Sequence, residues 1–398
     1  MIFRFLGAQW LAAGFVGLVS MGVTVLIARR LGPDLFGVYA IALSAGAVVA
    51  VLIDGGFGKL LLRERALASP ELAGFTPVLP SLAYGHALLV LSGLCLASLV
   101  VLPKHVLTTV AALMFFGALV LNQFGLTIMR ADGRLVRDAG WQMGNRTLSA
   151  LCVALVWWWG ASQPWQMLMA QFVGAAVFGF FVTLYLRVLP SVKLRANIYR
   201  AVLPFAWIDL AYVLHFRADM VLFQFLDVVK LEAGKYGVAY RLFESVILLA
   251  APLSLIFFRR FRLDSAKPSR VVRLMWPAVL VAALLGAACV LLAWTFGEPL
   301  VQLVYGTSYT GAGGLLVLLC CALVFLLPNG IINQAALALG LERWLAVSAT
   351  AAAVLNISGN LILIPRNGVM GAALMTVLTE ALLFACITMG VLYHTSRK

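Results

Sequence analysis

Long apolar runs, each about as long as a bilayer is thick, are separated by short polar breaks throughout the sequence. The first run, 5–28, has no ionisable residue and is followed directly by Arg29 and Arg30. A helix needs about 20 apolar residues to cross the hydrocarbon core, whereas the apolar core of a cleavable signal peptide has about 7–15. We therefore interpret this run as a membrane span rather than a leader.

Twelve runs meet this length requirement, which predicts an all-α integral membrane protein with about twelve transmembrane helices. Composition agrees, because 63% of the 398 residues are hydrophobic and only 11% are charged, against about 25% charged in soluble domains. The predicted spans are 5–28, 35–56, 78–102, 106–129, 141–160, 165–187, 200–226, 236–258, 272–296, 313–338, 344–364 and 369–393. The longest breaks, near 57–77 and 259–271, are basic and partly amphipathic, which predicts loop helices on an anionic membrane surface.

Basic residues are distributed very unevenly over the two sides of these spans. The side that carries both termini holds 20 Lys and Arg residues, and the opposite side holds 6. Because cytoplasmic loops are enriched in Lys and Arg, both termini are predicted to be cytoplasmic. The same rule explains the net charge of +14, so the charge gives no reason to expect a nucleic-acid partner.

The two halves of the chain show signs of an internal duplication. A shift of 200 residues lays LGPDLFGVYA (31–40) over LEAGKYGVAY (231–240), and both segments join the first two spans of a six-span half. Even numbers of spans predict two six-helix bundles, 1–190 and 191–398, related by a pseudo-two-fold axis along the membrane normal. A cavity between two such bundles would suit alternating access.

Ionisable side chains inside the spans are the candidate functional residues, because each costs roughly 2.5–3.5 kcal/mol to insert. Arg217 and Arg241 are predicted to bind a diphosphate, since guanidinium groups match phosphate oxygens in pairs. Arg146 and Lys59, near the predicted cytoplasmic side, are further candidates for the same role. Internal ion pairs that hold spans seven and eight together are the alternative interpretation.

Four acidic residues are candidates for ion coupling or for ion pairing in the cavity. They are Asp54, Asp219, Glu244 and Glu380. Helical spacing places Arg241 and Glu244 on one face, where they can pair, and points Arg217 and Asp219 to different faces. Glu380, surrounded by apolar sequence, is interpreted either as a protonated structural carboxyl or as part of a proton or cation path.

No enzyme signature occurs in the sequence, which predicts that the chain is not an enzyme. A phosphate-binding GKS/T loop, a metal-spaced histidine pair and a catalytic Ser/His/Asp set are all missing. The four histidines are scattered, so no metal site is predicted, and the six cysteines lie in apolar segments as small hydrophobic residues. No cofactor is expected, and the sequence leaves proton and sodium coupling open.

Several segments, taken in order, resemble the polysaccharide and O-antigen flippases (Wzx-type), a branch of the multidrug/oligosaccharidyl-lipid/polysaccharide exporter superfamily. The segment 29–66 contains the Leu-Gly-Pro turn, a Gly-x-Tyr and a span ending in Asp-x-Gly. FRADMVLFQFLDVVKLEAGKYGVAYRLFE (216–244) resembles the seventh and eighth spans of that family, and VYGTSYTGAGGLLVLL (304–319) resembles the entry to the tenth. ALALGLERW (336–344) and NISGNLILIPRNGVMGAALMT (356–376) are similar to its last signatures.

The resemblance implies a flippase of the bacterial inner membrane that moves an undecaprenyl-diphosphate-linked oligosaccharide by alternating access, for O-antigen or surface polysaccharide export. Spans one, two, seven and eight would border a cationic cavity, although the first span here lacks any ionisable residue. The glycan, the bilayer and other glycan-assembly membrane proteins are the expected partners. The alternatives are a drug or cation extruder of the same superfamily, a polymerase or ligase for lipid-linked sugars, and a non-transporting component of glycan assembly.

Overall fold

The computed structural model describes residues 2–66, 77–101, 106–192 and 196–397, and nearly all of them are helical. The helices are α1 (Ile2–Asp54), α2 (Phe57–Ala66), α3 (Leu79–Val101), α4 (Val106–Ala131), α5 (Leu135–Trp158), α6 (Pro164–Leu186), α7 (Ala196–Phe225), α8 (Lys230–Leu263), α9 (Pro268–Tyr305), α10 (Ala312–Ala338) and α11 (Glu342–Ser396). A short 3₁₀ turn, Thr307–Tyr309, precedes α10.

Two of these helices each contain two predicted spans, joined at a glycine. In α1 the break is Gly32, with φ 70°, and in α11 it is Gly368, with φ 58°. Glycine adopts positive φ without the steric cost that a Cβ would add, so the chain can turn there between two helical segments. Each helix from α3 to α10 contains one predicted span, which brings the total to twelve.

Length and composition support the membrane assignment of these helices. Within the described residues, eight helices, including both kinked ones, are long and apolar enough to cross a bilayer. The predicted all-α membrane fold of about twelve spans is therefore confirmed.

The two predicted loop helices have different outcomes. Helix α2 is amphipathic as expected, with Leu60 and Leu61 buried and Lys59 and Leu62 exposed, and residues 67–76 lie outside the described part. The prediction for 259–271 is wrong. Helix α8 continues to Leu263 and α9 begins at Pro268, leaving only a short turn. The backbone N–H of the first residue of a helix has no partner within the helix. Pro268 can therefore start α9 without the loss of a hydrogen bond.

The contacts divide the chain into two compact units. The first unit comprises Met1–Leu31 and Val38–Val213, and the second comprises Gly32–Gly37 and Leu214–Lys398. The core of the first unit is built around Phe57, Tyr84 and Phe124, and a core of the second around Phe261 and Met275. The division into bundles 1–190 and 191–398 was predicted from the sequence duplication, and it stays a prediction.

Small and amide side chains hold the spans of the first unit together, as is usual where lipid supplies no hydrophobic force between helices. The Asn122 side chain on α4 donates a 2.7 Å hydrogen bond to the carbonyl oxygen of Ala175 on α6. A Cβ on Gly174 of α6 would lie 2.6 Å from the Ser149 nitrogen on α5, so these two backbones touch. Asn122 therefore joins α4 to α6.

In the second unit, the segment after the Gly32 kink crosses the start of α8 at close range. A Cβ on Gly37 would lie 3.0 Å from the Gly234 nitrogen, and one on Gly234 would collide with the carbonyl oxygen of Pro33. The neighbouring Phe36 ring packs edge-on against Tyr309, with centroids 6.1 Å apart. Burial raises the pKa of the Tyr309 phenol, which therefore remains a neutral packing group.

Candidate functional site

Helices α7 and α8 form an antiparallel pair joined by a short turn between Phe225 and Lys230. The rings of Phe223 and Tyr236 pack across the pair with centroids 5.1 Å apart. At about 1.5 Å of rise per residue, Arg217 lies about 12 Å before the end of α7, and Arg241 lies about 16 Å after the start of α8. Both arginines therefore sit at similar distances from the turn, well inside their helices.

One carboxylate joins the two arginines. The Arg217 Nη2 donates to Glu244 Oε1 at 2.6 Å, and the Arg241 Nη1 donates to Glu244 Oε2 at 2.8 Å. The predicted pairing of Arg241 with Glu244 is confirmed, and Arg217 reaches the same residue from α7. We call Arg217, Arg241 and Glu244 the arginine cluster. Its formal charge is +1.

Two tyrosines of α8 contact α7 near the arginine cluster, Tyr240 at Arg217 and Tyr236 at Asp219. The Arg217 guanidinium lies over the Tyr240 ring, 5.6 Å from its centroid, and the Tyr240 hydroxyl donates to the carbonyl oxygen of Phe216 at 2.8 Å. Asp219 is buried and accepts hydrogen bonds from the Tyr236 hydroxyl and from the Met220 backbone nitrogen. As predicted, Asp219 and Arg217 face different neighbours. Asp219 binds Tyr236, and Arg217 binds Glu244.

The arginine cluster is only partly covered. Relative side-chain exposure is 21% for Arg217, 31% for Arg241 and 25% for Glu244. An ionised guanidinium in contact with hydrocarbon would carry a cost of several kcal/mol, so these groups are expected to face water or a polar ligand. The side chains of the cluster are therefore more accessible than that of Asp219, which is 4% exposed.

A second, deeply buried polar cluster joins α7, α10 and α11. The Glu380 Oε1 lies 3.0 Å from His215 Nε2, and its Oε2 accepts a 2.8 Å hydrogen bond from Asn329 Nδ2. Asn329 also donates to the backbone carbonyl of Glu380, at 3.0 Å. Glu380, although surrounded by apolar sequence, therefore has polar partners on two other helices. Its partners lie 165 and 51 residues away in the chain, which local sequence does not reveal.

The other predicted site residues belong to the first unit. Asp54 ends α1 and accepts the backbone N–H groups of Gly56 and Gly58, at 2.9 and 3.4 Å, so it caps the turn before α2. The exposed Lys59 donates to Asp209 on α7 at 2.5 Å. Arg146 is half-buried on α5. Their predicted roles in binding or coupling stay predictions.

Known structures of similar fold cover almost the whole chain. The lipid II flippase MurJ, in an inward-closed conformation, matches with a TM-score of 0.72 and 13% identity over 98% of this chain and 90% of its own. An inward-facing MATE-family multidrug resistance transporter of the MOP superfamily matches with a TM-score of 0.71 and 13% identity, covering 96% and 94%. The MATE multidrug transporter DinF-BH matches with a TM-score of 0.63 and 15% identity, covering 98% and 95%.

This chain shares the fold of these transporters. No protein-family profile matches the sequence, and no curated protein matches it. The predicted fold is thus confirmed, whereas membership of the superfamily and of its Wzx-type branch stays a prediction, because identities of this size report the fold alone.

Several residues in these contacts are not among the candidates that the sequence indicates. His215 and Asp209 are ionisable residues within the predicted seventh span, and Asn329 is an amide within the tenth, but no local pattern marks them as site residues. Tyr236 and Tyr240 are four residues apart, so they lie on the same face of α8, and Arg241 directly follows Tyr240 in the sequence. That spacing is the signal by which the two tyrosines could have been found.

Proposed function

We propose that this chain carries an undecaprenyl-diphosphate-linked oligosaccharide across the bacterial inner membrane by alternating access, for export of O-antigen or another surface polysaccharide. One observation supports the proposal most strongly. Two arginines from adjacent spans converge on a single carboxylate, inside the membrane-spanning part, with their guanidinium groups still accessible. The fold shared with the lipid II flippase MurJ is consistent with a lipid-linked substrate.

The chemistry of the arginine cluster fits a diphosphate. A diphosphate carries more than one negative charge and several acceptor oxygens, and each guanidinium offers five N–H donors in a planar fork. The formal charge of +1 with Glu244 bound rises to +2 if a ligand takes its place. In this proposal the head group binds to Arg217 and Arg241 while the polyprenyl tail remains in lipid.

An extruder of cationic drugs is the main alternative, because MATE multidrug transporters share the fold. A cation would need an acidic group that is free to bind it. In the described part of α7 and α8, Glu244 already binds two arginines, and Asp219 is buried against Tyr236. This arrangement favours an anionic ligand over a cationic one.

The orientation belongs to the same proposal. With both termini in the cytoplasm, the basic residues lie on the side where the head group would enter, and proton or sodium coupling remains to be assigned. A reporter active only in the periplasm, such as alkaline phosphatase, should be inactive when fused after residue 398. High activity of that fusion would reverse the predicted orientation.

Transport can be tested directly with purified protein in liposomes. A fluorescent polyprenyl-diphosphate saccharide that moves between leaflets is detected by a quencher added outside. Arg217→Ala or Arg241→Ala should each slow flipping roughly tenfold or more, because a hydrogen bond to a charged group contributes about 1.5–3 kcal/mol. The double variant should abolish flipping.

The matched control is Arg343→Ala, which removes an exposed arginine at the start of α11. This variant should flip the lipid at the wild-type rate. Wild-type flipping by the double variant, with normal folding and insertion, would remove the site assignment. Cation-dependent drug efflux without lipid flipping would favour the extruder.

A further inference from the structure

Glu244 uses both of its carboxylate oxygens, one for each arginine. We propose that Glu244 is an internal substitute for the phosphate of the substrate, holding Arg217 and Arg241 in binding geometry while the site is empty. A diphosphate displaces it, and it reclaims the arginines when the ligand leaves. This inference rests on the proposed function and adds a residue that sets the affinity and charge selectivity of the same site.

The geometry suits a temporary partner. Each arginine contacts Glu244 through a single nitrogen, at 2.6 and 2.8 Å, although a guanidinium can present two parallel donors to one acceptor group. Further N–H donors therefore remain for a ligand before Glu244 is released. All three side chains are a fifth to a third exposed, so a ligand can approach without opening a sealed ion pair.

Several contacts besides Glu244 join α7 to α8. Tyr240 donates to the Phe216 carbonyl, Tyr236 donates to Asp219, and Phe223 packs on Tyr236. These contacts already fix the two helices against each other. An ion pair that served only to join the helices would therefore be redundant here. We infer that Glu244 instead controls whether Arg217 and Arg241 are paired or available to a ligand.

Charge explains why such a substitute is useful. Two unpaired guanidinium groups within the membrane would be costly, and one carboxylate lowers that cost while the site is empty. A ligand with a single negative charge gains little by displacing Glu244, because it only replaces one carboxylate-like charge with another. A diphosphate brings more charge and more acceptor oxygens, so it can displace Glu244 with a net gain. The cluster therefore selects for multiply charged head groups.

The test measures binding of inorganic pyrophosphate to the full-length protein in nanodiscs by calorimetry, beside lipid flipping in liposomes. Glu244→Gln removes the competing charge, so pyrophosphate should bind about tenfold more tightly, the equivalent of one hydrogen bond to a charged group. Flipping should slow, because the arginines no longer have a partner that favours release. Binding of a singly charged phosphodiester should rise as well.

Two variants accompany this measurement. Glu244→Asp keeps the charge but shortens the reach to both arginines, so its affinity for pyrophosphate should fall between wild type and Glu244→Gln. Glu232→Gln is the matched control on the same helix, where Glu232 pairs with Lys235 at 3.0 Å and is 41% exposed. This control should bind and flip as the wild type does.

The direction in which Glu244→Gln changes the affinity for pyrophosphate tests the inference. Weaker pyrophosphate binding by folded Glu244→Gln protein would mean that Glu244 only orients the arginines, and unchanged binding would mean that it does not compete; either result overturns this inference alone. Failure of both wild-type and Glu244→Gln protein to bind pyrophosphate would overturn it together with the proposed site.

Discussion

Replacement of Asn329 by alanine tests whether the buried polar cluster stabilises the second unit. Asn329 is 4% exposed and donates through Nδ2 both to the carboxylate and to the backbone carbonyl of Glu380. Alanine removes both donors and leaves His215 as the partner of this carboxylate. Glu380 is 2% exposed, so water cannot replace the lost donor without rearrangement.

The expected loss follows from these two contacts. A hydrogen bond to a charged group contributes about 1.5–3 kcal/mol, and interhelical hydrogen bonds in membranes average about 0.6 kcal/mol. Because the second contact is to a neutral carbonyl, it falls near the lower value. We therefore expect the Asn329→Ala variant to be about 2–3.5 kcal/mol less stable than the wild type.

Unfolding of the full chain in mixed detergent micelles, titrated with a denaturing detergent, gives the free-energy difference. Asn333→Ala is the matched control, one turn further along α10, since Asn333 has no hydrogen bond among the described residues and is half-buried. It should lie within about 0.5 kcal/mol of the wild type, as substitutions away from such contacts do. An Asn329→Ala variant that matched this control would refute the reasoning, because the two donors would then contribute nothing measurable.

Two further substitutions test packing and ion pairing. Gly234→Ala forces a Cβ into the Pro33 carbonyl, which is backbone and cannot move aside, so the melting temperature should fall by several degrees while Gly314→Ala, with open space around it, changes little. Asp138→Ala removes a fully buried carboxylate that accepts from Arg130 Nε at 2.9 Å, and detergent titration should show a loss of about 3 kcal/mol. Removing Arg130 as well should recover part of that loss, and no recovery would mean that the two residues are not coupled.

Most of the fold could be predicted because a span is a local property of the sequence. The length of each apolar run, the basic breaks and the glycines at positions 32 and 368 all lie within short segments. What failed was the break at 259–271, where helices α8 and α9 continue past the ends of their apolar runs. Hydropathy marks where lipid begins and ends, whereas a helix ends where its backbone hydrogen bonding stops, and these two points differ here.

The candidate site was predictable only as far as helical periodicity reaches. The spacing of three between Arg241 and Glu244 gave their pairing, and the spacing of two between Arg217 and Asp219 gave their separation. Which acid Arg217 meets depends on how α7 pairs with α8. The partners of Glu380 depend on contacts between helices far apart in the chain, and no local pattern indicates them.

Helix α7 is the element that connects the two clusters. His215 and Arg217 are two residues apart, so they point about 200° apart around the helix, the first toward Glu380 on α11 and the second toward Glu244 on α8. A rotation or shift of α7 large enough to break one contact must therefore strain the other. Ion coupling is one of the two roles that the sequence leaves open for Glu380. In that role, Glu380 would act on His215 first and would reach the arginines through a helical connection of less than one turn.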